Sequence, residues 1–287
     1  QMKRILITGK NSYIGTSFMN WVSKWPEKYI VEAISVRENE WREYDFSLYD
    51  VVLHVAGIAH ISKYHKMEDL YYRVNRDLAI EVATKAKNDG VNQFIFLSSI
   101  IIYGTDGKVG EPKIITEKTK PEPVDFYGKS KLEAELAIQK LKSPNFKVSI
   151  IRTPMVYGPN CKGNFPKLVK FAMVTPFFPN IENERSMIFI NNLTELIRII
   201  VENQLDGVFY PQNEEYVSTK DVVMSVARIK NKKIKIVRVF NPLIFILAKK
   251  SNYINKVLGN KVYDKSISSF NLNYNVYKFE ESIEKSI

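Results

Sequence analysis

Within the first 155 residues, short apolar runs alternate with stretches of helical periodicity, and this alternation leaves few folds open. Arg4-Ile-Leu-Ile-Thr8 ends at Gly9, and Val51-Val-Leu-His-Val-Ala56 ends at Gly57. Tyr29–Val36, Gln93-Phe-Ile-Phe-Leu97 and Lys147–Arg152 are further runs of this kind. Such short apolar segments read as strands of a parallel sheet, covered on both faces. Ile14–Trp25, Lys66–Asn88 and Phe126–Leu141 carry helical patterns, and Asp89-Gly90 stops the second of these. The expected fold is α/β, a doubly wound parallel sheet with helices on both faces.

After about residue 155 the pattern changes. Pro154, Pro159, Pro166, Pro176 and Pro179 break the chain into short pieces. Helices are expected over 165–173, 193–203 and 220–229, and a strand over 234–240. Residues 1–155 then form a Rossmann-type nucleotide-binding domain. Residues 156–287 form mainly a smaller substrate-binding lobe, with some strands returning to the main sheet. That lobe is expected at the C-terminal edge of the sheet, where open α/β sheets bind ligands.

Thr8-Gly-Lys-Asn-Ser-Tyr-Ile-Gly15 joins the first strand to the first helix. A turn there aims backbone N–H groups and the positive end of the helix at a phosphate. Gly9 permits the tight turn, and Gly15 lets helix and strand pack closely. Ser12 stands where the usual dinucleotide fingerprint has its middle glycine. The second strand ends Ile34-Ser-Val-Arg37, without the carboxylate that accepts ribose hydroxyls in NAD sites. Arginine suits a 2′-phosphate, so the cofactor, NAD or NADP, leans to NADP(H).

Tyr127-Gly-Lys-Ser-Lys131 sets a phenol and an ammonium one helical turn apart, on one face. A lysine beside a tyrosine hydroxyl favours the phenolate and lowers a pKa that is otherwise about 10. The pair then exchanges protons near neutral pH. The same spacing recurs at Tyr216-Val-Ser-Thr-Lys220, so context is what singles out Tyr127. Part of that context is Ser98-Ser99 at the end of the fourth strand, with Tyr103 four positions on. A hydroxyl beside the phenol makes a two-donor site for a carbonyl or alkoxide oxygen. The Gly- and Pro-containing segment 103–124 reads as a long loop of functional type. His54, His60 and His65 lack paired metal-ligand spacing, so no metal is expected. Arg185 reads either as a diphosphate clamp or as a surface arginine.

Cys161 is the single cysteine, which fits a reducing, cytoplasmic compartment. No signal peptide is visible before the first strand. The net charge of +11 favours anionic partners. It reads as spread along the chain without a nucleic-acid motif, so no nucleic-acid partner is expected. Arg228, Lys230, Lys232, Lys233 and Lys235 read as a solvated basic surface. Asn241-Pro-Leu-Ile-Phe-Ile-Leu-Ala248 is too short to span a bilayer. It is expected as a buried helix, with membrane-surface contact beside Lys249 and Lys250 as the alternative.

In order and spacing these motifs resemble an extended short-chain dehydrogenase/reductase of the NAD-dependent epimerase/dehydratase family. The matching pieces are Thr8-Gly…Gly15, His54-Val-Ala-Gly57, Val74-Asn75, Phe96-Leu-Ser-Ser99…Tyr103-Gly104, Tyr127…Lys131, Arg152…Val156-Tyr-Gly-Pro159 and Arg185. The resemblance implies a catalytic set of Ser99, Tyr127 and Lys131. It implies cofactor contacts from Gly9, Asn11, Ser12, Tyr13, Ile14, Gly15, Arg37, Asp45, Phe46, Val55, Ala56, Gly57, Asn75, Ser98 and Pro154, besides Tyr127 and Lys131. Substrate contacts are implied for Ser99, Tyr103, Asn164, Phe165 and Arg185. Ile100 and Ile101 replace the acidic pair of the family's 4,6-dehydratases, which argues against dehydration. Met155 stands where many epimerases have asparagine. The chain looks especially similar to a branch from bacterial capsule and O-antigen clusters. That branch implies reduction of a UDP-4-keto-6-deoxy sugar, with UDP-sugar 4-epimerisation as the alternative. A cofactor-binding sensor without catalysis is a lesser one. The resemblance also implies a homodimer that pairs Lys66–Asn88 and Phe126–Leu141 with their copies.

Overall fold

The structure is a computed structural model and describes residues 2–59 and 67–287. In chain order its elements begin β1 (Lys3–Thr8), α1 (Tyr13–Val22), β2 (Tyr29–Ile34), β3 (Val51–His54), α2 (Glu68–Tyr71), α3 (Ala79–Asn88) and β4 (Gln93–Ser99). They continue with β5 (Ile114–Ile115), α4 (Phe126–Gln139), β6 (Lys147–Thr153), β7 (Met155–Tyr157), α5 (Asn164–Val174), β8 (Phe177–Pro179), β9 (Met187–Phe189) and α6 (Ile190–Glu202). Then follow β10 (Gly207–Phe209), α7 (Thr219–Ile229), β11 (Lys235–Val237), α8 (Asn241–Ala248), α9 (Asn252–Leu258), β12 (Val262–Tyr263), α10 (Lys265–Ser268) and α11 (Phe279–Ser286).

Six strands form one sheet in the order β10-β6-β4-β3-β1-β2, with every pair parallel. Ile5, Ile7, Leu53, Phe94 and Phe96 are fully buried, as strands covered on both faces require. Val82, Ala83 and Ala86 of α3 join Ala134 and Ile138 of α4 in the core beneath the sheet. Strand order reverses around β1, whose neighbours are β2 and β3. Doubly wound sheets bind ligands beyond the strand ends at such a switch. The turns that follow β1 and β3 therefore emerge side by side.

The chain packs as two compact units. One comprises Gln1–Gly104, Pro121–Thr153 and Leu193–Pro211. The other comprises Thr105–Lys120, Pro154–Asn192 and Gln212–Ile287. Most of α6 and all of β10 belong to the first unit, and Val208 of β10 registers against Ile150 of β6. The second unit holds three two-stranded pairs, β7–β9, β8–β11 and β5–β12. Its core includes Tyr157, whose ring lies against Phe165 and Phe189 and whose hydroxyl accepts from Asn213 Nδ2 at 2.8 Å.

Two local expectations need correction. The segment 103–124 is not all loop, because β5 within it pairs with β12. Asn241–Ala248 is helical but not buried, since only Ala248 of its eight residues is inaccessible. The helix touches its unit along one face and turns the rest outward. No helix among the described residues is long and apolar enough to cross a membrane. His60, His65 and Lys66 lie outside the described residues.

Candidate active site

The turn after β1 is pinned from two sides. Gly9 N and Lys10 N donate to Ile34 O at 3.0 and 2.9 Å, while Val55 N and Ala56 N donate to Thr8 O at 3.1 and 3.0 Å. Gly9 has φ +128°, and a Cβ there would lie 2.7 Å from Ala56 N. Only glycine fits both the conformation and the space. Ser12 caps α1, its Oγ accepting from Gly15 N at 3.0 Å. A Cβ on Gly15 would lie 2.5 Å from that Oγ, so glycine is needed there for close packing. Capping satisfies one first-turn donor, and the N–H of Ile14 belongs to the set a helix leaves without intrahelical partners. The first-turn donors and the positive helix end suit a phosphate group.

Around the expected adenosine end, the residues take mixed roles. Arg37 is exposed, three residues beyond the end of β2. The carboxylate that β2 does carry, Glu32, accepts from the hydroxyls of Tyr49 at 2.6 Å and Tyr44 at 3.1 Å. Asp45 is exposed and accepts from Ser47 Oγ and Ser47 N, which hold its carboxyl below the usual range. Phe46, in contrast, is fully buried in the core, so its ring has no surface for a nucleotide.

Tyr127 lies in the first turn of α4 because Asp125 caps that helix, Oδ1 accepting from Gly128 N at 2.7 Å. A Cβ on Gly128 would lie 2.9 Å from Pro123 Cβ and 3.1 Å from Ile101 O. The missing side chain lets α4 close onto the 3₁₀ turn Ile100–Tyr103 that Ser99 caps. The Ser99 hydroxyl accepts from Ile101 N at 3.2 Å and acts on the Tyr127 phenol, favouring its ionised form. Tyr71 of α2 meets the Tyr127 ring edge-on, with centroids 5.9 Å apart. Lys131 is buried, and its Nζ donates to Leu97 O at 2.8 Å. A Cβ on Gly57 would lie 3.4 Å from this Nζ and 3.2 Å from Asn75 Oδ1, so the bare glycine keeps the ammonium reachable. Asn75 holds the loop after β3, accepting from Ile58 N at 2.9 Å and donating to Ile58 O at 3.0 Å. It sits in a π-helical stretch, Tyr72–Leu78, a distortion frequent at functional sites. Ser98 Oγ is buried with no hydrogen-bond partner among the described residues, a donor and acceptor available to a ligand.

The electrostatics differ from the expectation for the Tyr–Lys pair. Burial pushes the Tyr127 phenol up to about 12, with Ser99 acting in the opposite direction. Burial also brings Lys131 down to about 8, opposed by Glu135. The cation is engaged with a main-chain carbonyl, so desolvation outweighs any stabilisation of the phenolate. His54 is neutral. It lies between Phe94 and Phe96, bonds Thr8 Oγ1 through Nδ1 at 2.8 Å, and is brought down to about 3 by burial.

Other expected residues take structural positions. The Tyr103 hydroxyl accepts from Arg152 Nη1 at 2.6 Å, and Arg152 pairs with the buried Glu135 at 2.8 Å. This network ties α4 to β6 and commits a hydroxyl expected to face substrate. In the second unit, Phe165 is a core residue packed against Tyr157, while Asn164 is partly exposed at the start of α5. Pro154 is buried. Arg185 is tied to Asp106 Oδ1 at 3.4 Å and to Gly259 O at 3.3 Å. In the second Tyr–Lys match, Tyr216 donates to Tyr263 O and Lys220 bonds Asn180 and Glu182, so this match has a structural use. Cys161 is buried and its thiol pushed up, which disfavours the reactive thiolate. Tyr71 and Glu135 are further residues around the Tyr–Lys pair that the sequence motifs leave out. Their signal was spacing, since Tyr71–Asn75 and Lys131–Glu135 each stand four apart on a helix.

The family model for the NAD dependent epimerase/dehydratase family matches residues 5–210. A UDP-glucose 4-epimerase from Vibrio cholerae is 32% identical over 248 residues, covering 78% of this chain and 75% of the relative. An N-acetyl-alpha-D-glucosaminyl-diphospho-ditrans,octacis-undecaprenol 4-epimerase from Escherichia coli O157:H7 is 28% identical over 204 residues, covering 67% of this chain and 59% of the relative. Among solved structures, UDP-glucuronic acid 4-epimerase from Bacillus cereus in complex with NAD matches with TM-score 0.75 and 20% identity, covering 99% of this chain and 94% of that one. The dTDP-4-dehydrorhamnose reductase of Bacillus anthracis in complex with NADP gives TM-score 0.74 at 18% identity, covering 99% and 98%. The chain belongs to the NAD dependent epimerase/dehydratase family.

Proposed function

We propose that this protein is an NAD(P)-dependent nucleotide-sugar oxidoreductase acting at C4. In our first reading it reduces a UDP-4-keto-6-deoxy-hexose or N-acetylhexosamine with NADPH during surface-polysaccharide synthesis. The observation that carries the reading is the gathering of Ser99, Tyr127 and Lys131 at the start of α4, with Lys131 Nζ bonded to Leu97 O and lying beside Gly57 in the turn after β3. A bound nicotinamide cofactor supplies the hydride. Tyr127, held as a neutral phenol, delivers the proton to the carbonyl oxygen being reduced. Ser99 holds that same oxygen. Lys131 orients the ribose, and Ser98 offers its unpartnered hydroxyl beside it. Ile100 and Ile101 move no proton, which leaves reduction or epimerisation. The exposed Arg37 supports a 2′-phosphate and hence NADPH. Asn164, the main chain at Phe165, and Arg185 receive the nucleotide, Arg185 by exchanging Asp106 for a phosphate. A homodimer built on α3 and α4 and a cytoplasmic location go with this reading.

A second reading, UDP-sugar 4-epimerisation, is favoured by the names of the sequence relatives in Vibrio cholerae and Escherichia coli. The test is incubation of purified protein with NADPH and a UDP-4-keto-6-deoxy-N-acetylhexosamine. Stoichiometric loss of NADPH absorbance with formation of the 4-hydroxy sugar is expected. Interconversion of UDP-glucose or UDP-GlcNAc with its C4 epimer, without net cofactor oxidation, would reverse the order of the two readings.

A further inference from the structure

The positive charge of this chain is not spread along it. Between Asp221 and Asp264 there are ten Lys and Arg residues and no Asp or Glu. The whole chain has 42 basic and 31 acidic residues, so everything outside that segment is close to neutral. At the centre of the segment lies α8, the apolar helix Asn241–Ala248. One face of it is fastened to its own unit. Asn241 Nδ2 donates to Asn180 O at 2.8 Å, one edge of the Phe245 ring lies against Gly110 while 42% of the residue stays exposed, and Ala248 is buried and its carbonyl accepts from Asn255 Nδ2 at 2.8 Å. Positions 241, 245 and 248 share one helical face. The opposite face carries Leu243, Ile246 and Leu247, which are 56%, 63% and 46% exposed. Val239 and Tyr253 beside the helix are each 75% exposed. Lys249 and Lys250 close the helix, Arg238 precedes it, and Lys235 registers against the exposed Phe177.

We infer that α8 is an in-plane membrane-docking element that seats this protein on an anionic phospholipid surface. An apolar helix face bordered by lysines suits the boundary between headgroups and acyl chains. The charge argument selects this occupant. A polynucleotide would use the lysines and leave the apolar face in water, and a second copy would bring the same positive segments together. Each basic residue at an anionic surface contributes about a five-fold factor in binding. Burying Leu243 and Ile246 contributes on the order of a hundred-fold together.

The test is co-sedimentation of the full chain with vesicles of phosphatidylcholine, with and without roughly one-third phosphatidylglycerol. Binding to the anionic vesicles, weakened by salt and weak on pure phosphatidylcholine, is expected. L243E/I246E should abolish it, and L243S/I246S should weaken it at least ten-fold. Both variants should keep the wild-type thermal midpoint and turnover, since the changed side chains already face outward. Lack of vesicle binding by the wild type overturns the inference. So does binding unchanged in L243E/I246E, because charge alone then suffices and a polynucleotide becomes the better partner. A wild-type dimer that L243E/I246E converts to monomer, with no vesicle binding, assigns the face to a second copy instead.

Discussion

Glu135→Gln tests the support beneath the candidate catalytic helix. Glu135 is fully buried, and Arg152 keeps 10% of its side-chain surface. The guanidinium donates to the carboxylate through Nη2 at 2.8 Å and through Nε at 3.2 Å to each oxygen. Its Nη1 donates to Tyr103. Removing the negative charge while keeping the shape leaves a buried guanidinium without its counter-ion, which costs about 3–5 kcal/mol. Glutamine still offers one acceptor oxygen, so the expected loss is at the lower end, about 3 kcal/mol, or over a hundred-fold in the ratio of folded to unfolded protein. Equilibrium urea unfolding of both proteins reads this directly. Replacing the buried members with apolar groups, as E135L/R152M/Y103F, should recover most of the loss, because the remaining partner, Tyr210, is only half-buried and its hydroxyl can turn to water. A Glu135→Gln loss below about 1 kcal/mol would refute the reasoning, since solvent must then reach the pair.

Three further outcomes are expected. Tyr127→Phe should lower kcat by about 10²–10⁴-fold with little change in cofactor affinity, read by single-turnover kinetics and cofactor titration. Lys131 falls from 10.5 to about 8 on folding, so between those values the unfolded chain holds a proton that the folded chain has lost. Stability from this group therefore rises with pH across that window, by about 3 kcal/mol, and Lys131→Met should flatten that rise in urea unfolding curves taken from pH 7 upward. Gly9→Ala places a methyl 2.7 Å from Ala56 N at φ +128°. It should destabilise by roughly 1–3 kcal/mol and weaken cofactor binding in a fluorescence titration.

What was legible in the sequence follows from which forces are local. The parallel strands could be read because burial on both faces leaves one-dimensional apolar runs, such as 4–8 and 93–97. The start of α4 could be read because Asp125 and Gly128 act within one turn. The acidity of Tyr127 could not, because it depends on how much water surrounds the hydroxyl, and Tyr71 reaches that ring from another helix. Tyr103 failed for a related reason. Its hydroxyl can serve substrate or Arg152, and only the packing of β6 against α4 decides between them.

The helix at 241–248 shows the same limit from the opposite side. Its apolar composition suggested burial, yet burial depends on which faces meet a partner. Asn241, Phe245 and Ala248 recur at intervals of four and three and point one way, toward Asn180, Gly110 and Asn255. Leu243, Ile246 and Leu247 must then point elsewhere, since a helix cannot turn all its side chains toward a single surface. A run of eight apolar residues is too short to declare its buried face by composition. The pinning contacts reveal it, and they leave an outward hydrophobic face in the one segment where positive charge is concentrated.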